Sequence, residues 1–295
     1  MRLPVPVIVV GNIAIGGTGK TPVTLALIER LQALGARPGV LSRGYGGVGP
    51  FPLLLSSETS ALQAGDEPVL IARRTGVPVC VAPSRLQAGR HLLAAHPEVD
   101  VLLCDDGLQH LALVRDLECC VVDGRRGHGN GHLLPAGPLR ENPARMRQCD
   151  LVLVNGGDAA PYGAQALRFD LLAEHAVALH TGERRPLSAF SGHMVHALAG
   201  IGNPHRFFDL LTEHGMTVNG HAFADHHIFK VSDLEFAGGA PVLMTEKDAV
   251  KCRDLRQLSD RSLWWVPVNA VFSQGAHERV QECLRSLLAL RRSPI

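Results

Sequence analysis

No apolar run in this 295-residue chain approaches the roughly 18–20 residues that span a bilayer. Its amino terminus has no basic-then-apolar signal segment. The seven cysteines include no CxxC pair, so neither a disulfide framework nor a zinc ribbon is indicated. Neither sign of charge is in excess. The 29 Lys and Arg face 28 Asp and Glu, and a net charge of +1 argues against nucleic-acid binding through a broad basic surface. No internal repeat or low-complexity tract interrupts the chain. What is present is 46% apolar and 19% charged residues, which excludes intrinsic disorder and permits a sizeable core. These features describe a soluble protein of a reducing compartment, with two modest domains or one large one.

Short apolar runs alternate with helical patterns. Val5–Val10, Val40–Leu41, Val77–Ala82, Val99–Cys104, Cys119–Val122 and Leu151–Val154 read as buried strands, and Phe51–Leu55 as a small inserted one. Val23, Leu27, Leu31 and Leu34 lie on one face of a helix that Gly35 would stop. Further helices fit Pro68–Arg74 and Ser84–Ala95. Alternation of this kind predicts an α/β fold with a mostly parallel sheet covered by helices. Gly156–Tyr162 reads as a loop and Thr181–Pro186 as a linker. The alternation then resumes with strands at Val195–Ala199, Val242–Thr245 and Trp264–Val268 and a helix at Arg206–His214. The last helix carries Val280, Leu284, Leu287 and Leu288 on one face. A boundary near residue 180 follows, with a nucleotide-binding domain over 1–180 and a smaller α/β lobe over 181–295.

The strongest chemical signal is Ala14–Thr21, AIGGTGKT, a Walker A loop with Ala in place of its first Gly. A strand precedes it and an amphipathic helix follows, as a P-loop NTPase requires. Gly16, Gly17 and Gly19 let the backbone turn several N–H groups onto one anion, together with Ala14, Ile15 and Thr18. The helix start adds its positive dipole end. Lys20 would reach the β/γ-phosphates of ATP, and the Thr21 hydroxyl would ligate Mg²⁺. Partition-type ATPases carry a Lys where this chain has Ile15. A guanine-reading NKxD is absent, since Thr245–Asp248 reads TEKD. Val101–Asp106 is an apolar strand ending in two acids, the Walker B pattern. Asp105 is the expected metal ligand, with Asp106 adjacent.

The order of motifs resembles the tetraacyldisaccharide 4′-kinase family, the lipid A 4′-kinases. The likeness is carried by the Walker A run with Pro22, LSRGYGG at 41–47, AGDEP at 64–68, DDGLQH at 105–110 and LPAGPLRE at 134–141. In the second half AGIGNP at 199–204, DHH at 225–227 and MTEKDA at 244–249 also fit. The resemblance implies a two-lobed P-loop kinase at the cytoplasmic face of the bacterial inner membrane. It implies transfer of the ATP γ-phosphoryl to the 4′-hydroxyl of a tetraacylated glucosamine disaccharide 1-phosphate. By the same resemblance Asp66 is the base, with His226 as its partner across the lobe cleft. From the residues alone, Asp66 reads first as a helix cap. Gln109, His110, Arg140 and Glu141 are implied as acceptor contacts, and Arg85 as a weaker one. The implied partners are the acylated lipid and an anionic membrane surface, with no nucleic acid and no obligate protein partner. Family members typically begin with a membrane-docking helix, whereas this sequence starts close to its first strand. Either the start is shortened or another surface docks. The final helix, with Arg285, Arg291 and Arg292, reads first as core-packed and second as membrane-facing. Two rival functions stay open at this level: a soluble small-molecule P-loop kinase of cofactor synthesis, and a nucleotide-switch binding protein.

Overall fold

The computed structural model of the chain describes residues 1–236, 239–253, 255 and 262–289. Its first sheet takes β1 (Val7–Gly11), β2 (Pro38–Ser42), β3 (Leu53–Leu54), β4 (Val79–Val81), β5 (Val101–Asp105), β6 (Leu117–Asp123), β7 (Leu151–Asn155) and β8 (Ala166–Leu172). The second takes β9 (His175–Ala178), β10 (Arg184–Pro186), β11 (Met194–Ala199), β12 (Thr217–Ala222), β13 (Val242–Thr245) and β14 (Leu263–Val266). The chain then returns to the first sheet with β15 (Asn269–Phe272).

The first sheet runs β15-β8-β7-β6-β1-β5-β2-β4-β3. It is parallel from β8 to β4, with β3 and β15 antiparallel at its edges. In β1, Ile8 and Val10 join one core layer while Val7 and Val9 join the other. That two-residue period buries both faces, which is why the strand reads as a continuous apolar run. Helices α1 (Lys20–Ala33) and α3 (Asp66–Thr75) cover the first face, while α4 (Arg85–Ala95) covers the opposite one. The short α2 (Ala61–Ala64) precedes α3.

The second sheet runs β10-β9-β14-β13-β11-β12. Helix α5 (Pro204–Glu213) packs on one face through Phe207 and Leu211, and α6 (Glu246–Cys252) on the other through Ala249 and Cys252. Val250 of α6 belongs instead to the core of the first sheet, so this helix joins the two lobes.

Two expectations need correction. The segment 181–295 is not one lobe. Strand β15 pairs with β8, and α7 (Gln274–Ala289) buries Val280, Leu284 and Leu287 in the first core. The second lobe is therefore an excursion from β9 to β14. The Thr181–Pro186 stretch is not a plain linker, because Arg184–Pro186 pairs with β9 as an edge strand. Its polar, fully exposed side chains hid it, and Pro is tolerated at such an edge. The apolar face of α7 is core-packed and unavailable to a membrane. Arg285 is exposed, while Leu290, Arg291 and Arg292 lie outside the described residues.

Candidate active site

The phosphate loop bridges β1 and α1. Gly19 is the N-cap of α1 at φ +100°, in the region that favours glycine, and Gly16 stands at φ +89°. A Cβ at Gly19 would lie 3.0 Å from Asn155 Nδ2. The loop is gripped from several sides. Asn12 Nδ2 donates to the Thr18 hydroxyl at 3.3 Å, and Asn155 Nδ2 donates to the Thr18 carbonyl at 3.0 Å. Arg126 donates to the Ile15 carbonyl at 2.7 Å, and the Ile15 N–H to the Pro138 carbonyl at 2.9 Å. Ala14 forms a bridge with Leu139. Free N–H groups at a helix start, fixed in advance, are what an anion needs.

The two acids after β5 point in opposite ways. Asp105 is buried, and its Oδ1 accepts from the Thr24 hydroxyl at 2.9 Å. Burial pushes its carboxyl up to about 7, helped by the charges of Glu67 and Asp106 and opposed by Lys20 and Thr24. Asp106 has φ +46°, which turns its carboxylate into the cleft. There it lies 3.6 Å from Lys20 Nζ and 3.0 Å from Arg140 Nη1. Burial alone would raise its pKa, but those two cations outweigh it and hold the carboxyl below its ordinary value. Strand alternation could not show this, because the left-handed residue lies just past the strand end. The carboxylate that lines the cleft is that of Asp106, while Asp105 is buried against Thr24.

The acceptor-side candidates come together beside Asp106. Arg140 also reaches Gln109 Oε1 at 3.3 Å. Gln109 donates to the Asn12 carbonyl at 2.9 Å and to Glu141 Oε1 at 2.6 Å. Glu141 lies 3.5 Å from Arg145, so it does not pair with its neighbour Arg140. His110 lines the cleft, and its buried Nε2 has no hydrogen-bond partner among the described residues. Burial and the charges of Arg85, Arg115 and Arg43 hold its pKa down, so it is a neutral imidazole with capacity to spare. Arg85 also lines the cleft. Its guanidinium is buried and donates to the carbonyls of Asp105 at 3.2 Å and Asp106 at 3.3 Å, so it braces the acidic turn.

Asp66 and His226 meet across the lobes. Asp66 Oδ2 lies 3.1 Å from His226 Nδ1. The N-cap position of α3 is Gly65 and Asp66 is the first helical residue; its Oδ1 accepts from the Glu67 N–H at 2.9 Å while its Oδ2 makes this contact. Burial pushes the Asp66 carboxyl up, but His226, Lys247 and Lys251 outweigh that and leave it below its ordinary value. The hydrogen bond that His226 donates to Asp66 raises the His226 pKa against burial and the charge of Lys247. His226 stands at φ +60°, a position that costs a non-glycine residue energy and is held here by the surrounding contacts.

A cleft of about 1010 Å³ connects these groups. Gly16–Thr21, Asp106, Gln109, His110, Arg140 and His226 all line it. Sequence reasoning missed two residues of its second-lobe wall. Arg206 of α5 donates to Asn155 Oδ1 at 3.0 Å and reaches Asp123 at 3.3 Å, so it touches the same Asn155 that grips Thr18. Lys247 of α6 reaches the acids around Asp66. Only the TEKD string hinted at Lys247, and spacing alone could not pair it with residues 180 positions away.

The sequence profile described as tetraacyldisaccharide-1-P 4′-kinase matches residues 1–287. The chain belongs to this family. A tetraacyldisaccharide 4′-kinase of Stenotrophomonas maltophilia is 54% identical over 258 residues, 85% of this chain and 76% of that protein. That of Azotobacter vinelandii is 50% identical over 290 residues, 98% of this chain and 85% of that protein. The crystal structure of LpxK from Aquifex aeolicus in complex with ATP superposes with a TM-score of 0.80 at 28% identity, covering 97% of this chain and 90% of that one. The tetraacyldisaccharide 4′-kinase family is a family of phosphotransferases, and the fold here is its P-loop α/β fold with a second lobe. The nucleotide-switch and cofactor-synthesis readings both give way to it.

Proposed function

We propose that this kinase transfers the γ-phosphoryl of ATP to the 4′-hydroxyl of a tetraacylated disaccharide 1-phosphate, with Asp66 accepting the hydroxyl proton. The observation that carries this is the buried Asp66 carboxylate paired with His226, an imidazole that lines both the small pocket of Asp66 and the cleft of the phosphate loop. Loop N–H groups and Lys20 hold the β/γ-phosphates. The acceptor oxygen attacks the γ-phosphorus, its proton passes to Asp66, and ADP leaves. The bond to His226 steadies Asp66 and spreads the acquired charge. Arg140, Gln109, Glu141 and His110 form the surface that orients the headgroup, Arg140 offering a planar fork to phosphate.

The oxygen donors present fit Mg²⁺. Among the described residues no group of three His, Cys, Asp or Glu side chains is disposed to hold a metal alone. Mg²⁺ needs no such cage, since one or two carboxylates plus phosphate oxygens and water usually bind it. Thr21 and Asp106 would hold it, with Asp105 behind them. When bound it would neutralise charge on the transferring phosphates. Asp106→Ala should raise the Mg²⁺ concentration for half-maximal activity by roughly 10–100-fold. Asp105→Asn, which keeps an acceptor for Thr24, should move it less. A Mg²⁺ titration with the opposite order would restore Asp105 as the ligand.

A tetraacyl acceptor is insoluble, so its headgroup is met at a bilayer surface, which supports action at the cytoplasmic face of the inner membrane. No helix among the described residues is long and apolar enough to cross a membrane. Leu111, Leu133 and Leu134 are exposed near the acceptor edge and suit contact with lipid. Binding to anionic vesicles should be weak and should fall as salt screens surface attraction over about 8 Å. Co-sedimentation at low and high salt measures it, and tight salt-independent binding would contradict it. The acceptor class itself is tested with labelled ATP and two acceptors, the tetraacyl disaccharide and its deacylated, water-soluble counterpart. Label should enter the lipid acceptor far faster. Equal rates would remove the lipid requirement.

A further inference from the structure

Lys247 is the second residue of α6, the helix that shares its packing between both cores. Its Nζ lies 3.2 Å from Glu67 Oε1, 3.2 Å from Asp225 Oδ1 and 3.7 Å from Asp66 Oδ2. Two of these acids start α3 in the first lobe. The third precedes His226 in the second-lobe loop. One ammonium therefore joins the two segments that bring Asp66 and His226 together. Its side chain is mostly buried, and the same face of the cleft is lined by Asp225, His226, Glu246 and Lys247.

We propose that Lys247 is a positioning residue for the phosphoryl transfer, a cross-lobe clamp that fixes His226 against Asp66 and keeps Asp66 ready to take the acceptor proton. The inference rests on Asp66 being the base. A surface pair would be worth little, but a mostly buried cation beside the buried Asp66 acts more strongly, with Glu67 and Asp225 at the partly exposed rim. The neighbours of Asp66 make Lys247 the adjustable one. On its own helix Asp66 has Glu67. From the loop it faces His226, whose Nε2 lies 3.9 Å from Asp225 and whose ring rests on Tyr45. From α6 it faces Lys247, and Lys251 at 4.0 Å. Lys251 forms an ion pair with Asp248 on its own helix at 2.8 Å and lies farther from Asp66 than Lys247 does. The depressed Asp66 pKa and the raised Lys247 pKa agree with a favourable cluster: burial opposes the Lys247 charge, and Glu67, Asp66 and Asp225 more than offset it.

The sign of the pH effect follows. Lys247 favours the anion of Asp66, so removing it raises the pH at which that anion forms. An opposite charge within about 4–6 Å moves a carboxylate by roughly 1–3 units, and His226 and Lys251 remain, so a shift near one unit is expected. The test uses the full chain with ATP and the tetraacyl acceptor. Lys247→Met should lower kcat at pH 7 by roughly 10–100-fold and leave the KM for ATP within about twofold. The acid limb of its rate profile should move up by about one unit. Lys247→Arg should recover most of the rate. On an Asp66→Asn background, Lys247→Met should add almost no further loss, because it acts through Asp66. An unchanged rate, an unmoved acid limb, or a loss seen only in the KM for ATP would overturn the clamp. So would a full loss added on top of Asp66→Asn. If Lys247→Met does not fold, Lys247→Gln takes its place in the same series. Failure of the underlying reading looks different: Asp66→Asn by itself would then keep its rate.

Discussion

Lys20→Ala should cut phosphoryl transfer by roughly 10³-fold or more while leaving the fold intact. In the structure the Lys20 ammonium stands at the first turn of α1, partly open to the cleft and 3.6 Å from Asp106. Its side chain is only 15% exposed, so truncation removes some contacts at the cleft wall but no member of an apolar core. What is lost is the only loop cation aimed along the phosphates, at the point where charge is redistributed in the transition state. Loop N–H groups remain, so nucleotide affinity should suffer less than turnover. Steady-state kinetics beside thermal unfolding separates the two. A folded Lys20→Ala protein with near-normal turnover would remove the phosphate loop from the mechanism.

Asp66→Asn should lower kcat by roughly 10²–10⁴-fold, the usual contribution of a positioned base, and should change the KM for ATP little. Asn matches Asp in size and can still accept a hydrogen bond from His226. It cannot take a proton from an alcohol. The Asp66 Oδ1 also accepts from the Glu67 N–H in the first turn of α3, and the Asn oxygen keeps that acceptor, so the swap separates proton transfer from capping. The pH dependence gives a second reading. Asp66 is depressed below its ordinary value, so its anion is present above the folded pKa and is lost as pH falls through it. The wild-type rate should therefore hold down to mildly acidic pH, unless another group fails first. Stability carries the same sign: the Asp66 contribution is present above its unfolded pKa near 3.9 and fades as pH falls. An Asp66→Asn enzyme with most of its activity would show that another group takes the proton.

Much of this was legible before any coordinates. The strand, glycine loop and Lys-Thr of the nucleotide site are local in sequence, and local geometry dictates their chemistry. The parallel sheet was visible because both of its faces are buried, which makes its strands plain apolar runs. Edge strands such as Arg184–Pro186 lack that burial and went unseen. The return of β15 and α7 to the first sheet was invisible for a different reason. Val280 and Leu284 announce an apolar helix face but not the core that will receive it. In the site, the pair of acids was evident and their division of labour was not. One residue in a left-handed conformation, Asp106, decides which carboxylate meets the cleft. The contacts of Lys247 and Arg206 are tertiary in the same sense, since they exist only when the second lobe is seated.

The central claim is that the phosphate-loop cleft reaches, through His226, a proton-accepting carboxylate and directs the γ-phosphoryl to one hydroxyl. The most direct measurement is the position of the label after reaction of γ-labelled ATP with the tetraacyl disaccharide 1-phosphate. The product should carry the new phosphate at the 4′ position, and both Lys20→Ala and Asp66→Asn should leave it almost unlabelled. Label found mainly as inorganic phosphate, or at another hydroxyl of the sugar, would contradict the account.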